Sequence, residues 1–428
     1  MLFERIALID EEFQVQPDRY VAVSGDRIVY IGGEKPPGDF GESYDGRGKL
    51  LIPGLVNIHT HSPMTLLRGY GENLTLQDWL HKRVFPFEAR MNAEDIYWAF
   101  QLAIAEMVRY GTVSCTDMYF RGDSMARAVL DSGFKANISL SVLCPDQRSY
   151  QELPIYRETL DVHEKYHGAG KGRLNLDLSI HGEYTSTPKV VAAVAEHCAQ
   201  LGLRMHIHLS ETKAEHQECL LRHGLTPAAY FEEQGLFDNP TTAAHCVWCT
   251  EEDFEILARH QVTLANNPIS NLKLASGFCN IPLALKKGVN IGLGTDGAAS
   301  NNSLNLFEEM KLYAVLNKAL AGDPRLITPA EALAAATING ARSQGRADCG
   351  RIAEGFKADL AVLDLKGPGM FPCHNLLYNL AYSASGSDVC LTMADGVILY
   401  REGSWPTLDL ERIRAEVEKS RQRILSLL

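Results

Sequence analysis

Two histidines one residue apart, His59 and His61, end an apolar run that starts at Leu51 and is broken by Pro53-Gly54. Alternate residues of a β-strand point the same way, so both imidazoles would project from one strand end, as half of a transition-metal site. An H-x-H pair also arises by chance, and other strand-like runs decide the matter. "LSIHGEYTSTP" carries His181, "MHIHLSETKAE" carries His206, His208 and Glu211, "TTAAHCVWCT" carries His245, and "IGLGTDGAASNN" carries Asp296. One histidine on an apolar strand is usually a core residue. Several at the same end of parallel strands are better explained by a metal.

Three imidazoles and one carboxylate suit Zn2+ or Fe2+ and leave room for a water. The ligands assigned are His59, His61, His208 and Asp296. His206 shares a face with His208 but lies farther from the strand end, so it is expected one layer deeper. Glu211 is placed as an acid/base, because a metal brings the pKa of its water towards neutrality and a nearby carboxylate can move the proton. His245 would orient the water and stabilise developing charge. Cys246 and Cys249 form a C-x-x-C pair; no second such pair accompanies it, and two buried thiols are the favoured reading.

The elements that must position these groups are visible as texture. Residues 1–52 and 350–428 are rich in short strands and Gly turns and are expected to form one small β-sandwich from both termini. Residues 53–349 alternate strand-like runs with amphipathic helices. Asn92 and Asp95 form a capping-box-like start, Ile96, Phe100, Ala103 and Met107 make an apolar stripe, and Gly111 ends the unit before the strand "TVSCTDMYF". Further units start at Pro188 and at Thr250 with Asp253. This rhythm predicts an α/β fold, a (β/α)8 TIM-like hydrolase barrel; a doubly wound sheet shares the pattern. The end of the chain, "LDLERIRAEVEKSRQRILSLL", reads as a charged amphipathic helix for the surface or a partner subunit.

The chain has 428 residues, 53 acidic against 41 basic, for a formal charge of −12. Without a basic patch it is a poor nucleic-acid binder. It has no apolar run of about 18 residues and no signal-like start, so it reads as a cytoplasmic protein of reduced thiols that does not enter membranes.

The segments "PGLVNIHTHSPMTLLRG", "HLSETKAE", "AAHCVWC", "NNPISNLKLASG" and "LGTDGAASNNSLNLFEEM" resemble the amidohydrolase superfamily, and within it the methylthioadenosine/S-adenosylhomocysteine deaminases. The resemblance covers nearly the whole chain. It implies a single metal, and the lysine that bridges two metals in binuclear relatives is missing from "TVSCTDMYF" and "LNLDLSIHGEY". It implies that Glu211 handles the purine proton, that His245 assists the attacking water, that His181 binds substrate, and that Glu88, in "RVFPFEARM", grips the ribose hydroxyls. Arg148 falls near a substrate-contacting arginine of the family. The implied reaction is hydrolytic deamination of an adenosine derivative to the inosyl product and ammonia. Two departures touch the substrate: Glu183 stands in His181-Gly182-Glu183-Tyr184 where the family has proline, and "NISLSVLC" lacks a family arginine. Alternatives are the same machinery on guanine, a pterin, cytosine or a triazine, and a non-enzymatic scaffold on this fold. The resemblance also implies a possible homo-oligomer.

Overall fold

The computed structural model describes all 428 residues, Met1–Leu428. Eight parallel strands form the barrel: Leu55–Thr60, Thr112–Tyr119, Lys135–Val142, Leu174–Ile180, Met205–Leu209, Thr241–His245, Thr263–Asn266 and Asn290–Leu293. Each pairs with the next in chain order. The circle returns on itself where the Asp296 N–H donates to the His59 carbonyl at 2.9 Å. Asn57 in the first strand accepts from the Thr295 N–H at 3.1 Å and donates to its Oγ1 at 2.7 Å. The barrel thus replaces the doubly wound alternative.

The helices start and stop where local chemistry dictates. Asn92 caps Ala93–Arg109 through a capping box with Asp95, and Thr250 caps Glu251–Arg259 with Asp253. In both, side chains satisfy amide groups that the first turn leaves unpaired. Gly202 ends Pro188–Leu201 in the left-handed conformation that glycine adopts without strain.

Both termini build one second sheet, as the strand texture predicts. Its order is Val397–Arg401, Val389–Ala394, Leu360–Asp364, Lys49–Pro53, Leu2–Ile9, Val15–Ser24 and Arg27–Gly32, with Ser43–Asp45 beside Leu2–Ile9. Lys49–Pro53 pairs antiparallel with Leu360–Asp364 and so joins the two halves. The sheet has its own core of 14 buried apolar residues, among them Phe3, Ile6, Val21, Leu360 and Met393. Pro53-Gly54 is the junction: the apolar run before His59 is two strands in different sheets, not one. Gly54 is required there, since a Cβ would meet the Val113 side chain at 2.4 Å. Lys135, buried at the start of the third barrel strand, ties the units together through Asp359 at 2.6 Å and Asp395 at 2.7 Å. The terminal helix Leu410–Leu425 lies on Ala93–Arg109 of its own barrel, where Arg423 pairs with Asp95. No helix is long and apolar enough to cross a membrane.

Candidate metal and catalytic centre

Every strand-end histidine picked out above, together with Glu211 and Asp296, lies at one mouth of the barrel, where parallel strands end and loops begin. His59 is fully buried, and its Nε2 lies 3.4 Å from Asp296 Oδ1. His61 Nε2 lies 3.2 Å from the same oxygen and 3.3 Å from His208 Nε2. The tautomers follow from the neighbours. His61 Nδ1–H donates to the Met118 carbonyl and His208 Nδ1–H to the His181 carbonyl, both at 2.6 Å. Their Nε2 atoms are therefore left facing each other, with Asp296 Oδ1 beside that of His61, and His59 Nε2 has no hydrogen-bond partner at all. Lone pairs at that separation repel unless a proton on His61 or a metal cation sits between them. The donor set, three imidazole nitrogens and a carboxylate, fits a divalent metal.

The charge balance agrees. Burial keeps His59 neutral, down to about 3, and holds His206 and His208 well below the usual range; neutral imidazole is the ligating form. Burial also acts on His61, but Asp296 outweighs it and lifts His61 to about 9. Burial opposes ionisation of Asp296, yet the two imidazoles hold its carboxyl well below the usual carboxylate range. A cation here competes with the proton that His61 and Asp296 would otherwise share. His206 sits one layer down, with its Nε2 2.9 Å from His59 Nδ1, and steadies the ligand rather than the metal.

Asp296 has two different oxygens. Ser270 and Ser300 hydroxyls donate to Oδ2 at 2.6 and 2.8 Å, so Oδ1 alone faces the imidazoles. His245 Nδ1–H donates to Asn271 Oδ1 at 2.8 Å, which turns Nε2 towards Glu211 Oε2, 3.8 Å away. Burial raises the Glu211 carboxyl, which suits a group that must carry a proton. The backbone N–H groups of Ser210 and Glu211 donate to the two carboxylate oxygens of Glu215 at 2.9 and 2.7 Å, fixing the loop that presents Glu211. Ser210, His245 and Asp296 all have positive φ without being glycine. Such strain costs about 1–3 kcal/mol per residue and gathers where geometry is functional.

These groups line one end of a cavity of about 200 Å³. A helical cover, Leu76–Glu88, closes part of its other side; its middle turn, Leu80–Val84, is a wide π-turn. Glu88, at the end of this cover, accepts from Tyr119 Oη at 2.6 Å, and burial pushes its carboxyl up to about 7. Trp79 also lines the cavity, as do His181 and Tyr184. Burial lowers His181 to about 4, and its Nδ1 is a buried atom without a protein partner.

The model of the amidohydrolase family matches residues 50–399. The chain belongs to the amidohydrolase family. A 5-methylthioadenosine/S-adenosylhomocysteine deaminase of Dictyoglomus thermophilum is 43% identical over 375 residues, 88% of this chain and 87% of that one. One of the same name from Caldanaerobacter subterraneus is 39% identical over 427 residues, 99% of this chain and 98% of that one. The crystal structure of an adenosine deaminase from Xanthomonas campestris with bound zinc superposes with a TM-score of 0.93 at 32% identity, covering 99% of this chain and 98% of that one. The resemblance read from the motifs is thus to the right family, and the His/Asp cluster has the donors that a divalent metal takes.

Within this amidohydrolase, two residues fall outside the cavity. Arg148 is half exposed and grips Asp146, with Nη2 at 2.7 Å from Oδ2, so the structure does not bring it to the site. Glu183, expected beside the pocket, is absent from its lining: its carboxylate is fully buried and held by Arg222 at 2.7 Å and His223 at 3.0 Å. Cys246 and Cys249 are free thiols, and burial raises Cys246 well above the usual thiol range. Several supporting groups escaped the sequence reading: Asp117, which accepts from the Ser62 N–H at 2.7 Å, and Ser270, Ser300, Asn271, Glu215 and Tyr119. Only Glu215 had a usable signal, the T-x-x-E cap that opens Lys213–His223.

Proposed function

We propose that this chain is a metal-dependent hydrolytic deaminase of 5′-substituted adenosines, releasing ammonia and leaving the inosyl product. The observation that carries the reading is the pairing, at one end of a single cavity, of a raised carboxyl, Glu211, with an ionised one, Asp296. Two carboxyls whose surroundings push their hold on a proton in opposite directions are what an acid/base hydrolysis needs. The names of the relatives add the substrate class.

His59, His61, His208 and Asp296 would hold one divalent metal, and zinc is the best-supported ion because the solved relative carries it. When bound, such a metal supplies positive charge that makes a water acidic near neutral pH. A single ion is supported by the absence of any lysine from the cavity lining. Asp296 Oδ1 accepts a proton from the attacking water. Glu211 gives a proton to the ring nitrogen beside C6, so that the ring can accept the incoming electron pair. His245, locked by Asn271, steadies the charge that develops on oxygen as C6 becomes tetrahedral. Asp296 then passes its proton to the amino group, the C6–N bond breaks to release ammonia, and the C6 hydroxyl returns its proton to Glu211 as it becomes the carbonyl. His181, in the cavity lining, contacts the base, and Glu88 accepts from the ribose hydroxyls.

The test is ammonia release by the zinc-loaded protein on adenosine, methylthioadenosine, adenine, guanine and melamine. The expected result is turnover of the nucleosides with little on the free bases. Turnover confined to bases or triazines would keep the chemistry and reject the substrate.

A further inference from the structure

Glu183 stands between two residues that line the cavity, His181 and Tyr184, yet its own side chain is outside the lining and fully buried. One helix end takes both of its oxygens. Arg222 forks onto them, Nη2 to Oε2 at 2.7 Å and Nε to Oε1 at 3.2 Å, and His223 Nε2 donates to Oε1 at 3.0 Å. The His223 ring lies 4.5 Å from that of Tyr230, which is itself buried. A buried carboxylate stays with its cation, because separation strands a charge away from water. A forked guanidinium fixes direction as well as distance.

The helix that ends in Arg222 and His223, Lys213–His223, is tied at its other end to Glu211. Thr212 caps it, and Glu215 in its first turn accepts from the N–H groups of Ser210 and Glu211. On the strand side, His208 Nδ1–H donates to the His181 carbonyl. These contacts make a closed circuit: from His181 to His208, along the strand end to Glu211, through Glu215 and the helix to Arg222, and back through Glu183 to the turn that carries Tyr184.

From this circuit we infer that Glu183 is a positioning residue for the base: through Arg222 and His223 it keeps His181 and Tyr184 in place before substrate arrives. The inference rests on the nucleoside deaminase reading above. None of Glu183, Arg222 and His223 lines the cavity, so their effect on the reaction passes through the residues on either side of Glu183. A turn cut loose from the helix must be ordered again by the substrate itself, which weakens binding by about five- to a hundredfold for two side chains. Once bound, the geometry is the same, so the loss falls on KM and spares kcat.

The experiment measures kcat, KM and zinc content with methylthioadenosine for the unsubstituted protein, Arg222→Gln, Arg222→Lys, Glu183→Gln and the double variant Glu183→Gln/Arg222→Gln. Arg222 comes first because its side chain is 39% exposed, so its replacement leaves the core packed. Arg222→Gln is expected to raise KM about tenfold, with kcat and zinc content nearly unchanged. Arg222→Lys keeps the charge but not the fork and is expected to recover part of the KM. The double variant is expected to match the worse single variant, since both break one link. An unmoved KM in Arg222→Gln, or single effects that multiply in the double variant, would overturn the positioning role and leave the deaminase reading intact. A fall in kcat at constant KM that follows the folded fraction would mark the ion pair as purely structural and overturn it too. An unsubstituted protein that deaminates no adenosine derivative would sink both readings.

Discussion

The metal end of the cavity and the wall opposite differ in how their side chains are held. At the metal end hydrogen bonds fix the orientation of the key side chains. Asp296 Oδ2 is taken by two serines, His245 Nδ1 by Asn271, and His61 and His208 Nδ1 by carbonyls. His59 Nε2, which would meet the metal, is left bare, as are supporting atoms such as His206 Nδ1 and Asn271 Nδ2. On the wall the side chains are held by packing alone, and the π-turn at Leu80–Val84 puts an irregular segment over the opening. The first end is built for one geometry and the second for a class of shapes. Chemistry and substrate choice therefore sit on separate elements: strand ends for the one, the cover and two loop starts for the other.

That contrast can be broken in steps. The largest effect is expected from Glu211→Gln, which keeps size and polarity but cannot cycle a proton. Turnover of methylthioadenosine should fall by roughly 10²–10⁴-fold with metal content unchanged; near-native turnover would remove Glu211 from the reaction. Next comes Glu88→Ala, at the boundary between the two ends. Loss of a charge-assisted contact to the ribose should raise KM for nucleosides about tenfold or more and leave any activity on a free base as it was. Equal losses on both would mean that Glu88 holds the fold of the cover, not the ribose.

The smallest effect concerns stability rather than rate. Burial, followed by the charge of Glu211, pushes Glu215 up to about 7, against about 4.3 in an unfolded chain. Between those values the folded state binds more protons than the unfolded one, so Glu215 makes stability fall as pH rises from about 4.3 to about 7. In Glu215→Gln that contribution disappears, and the loss of stability across this window should shrink by up to roughly 4 kcal/mol. Denaturant titrations at several pH values would show it, and parallel curves for the two proteins would contradict it.

Much of this was legible in the chain because the informative residues are rare and their spacing is rigid. His59 and His61 share a strand face by parity, and the same parity places His206 below His208. The barrel was legible from helix caps such as Asn92–Asp95 and Thr250–Asp253. What was not legible depends on contacts distant in sequence or on geometry outside strands. Ser270 and Ser300 are ordinary residue types until Asp296 meets them. Glu183 lies in a short 3-10 turn, Glu183–Thr185, after the strand has ended, so alternation no longer says which way it points. Arg148 follows a loop whose local Asp146 captures it. The cover at Leu76–Glu88 has no clean period, because its helical turns change width at Leu80 and Pro86 lacks the N–H that would continue an α-helix.

The most direct test of the account is metal content and ammonia release measured together on one preparation, using methylthioadenosine before chelation, after it, and after zinc is restored. The account predicts one divalent metal per chain, loss of turnover on its removal and recovery with one equivalent of zinc. Deamination that persists in the metal-free protein, or full activity reached only with two metals per chain, would contradict it.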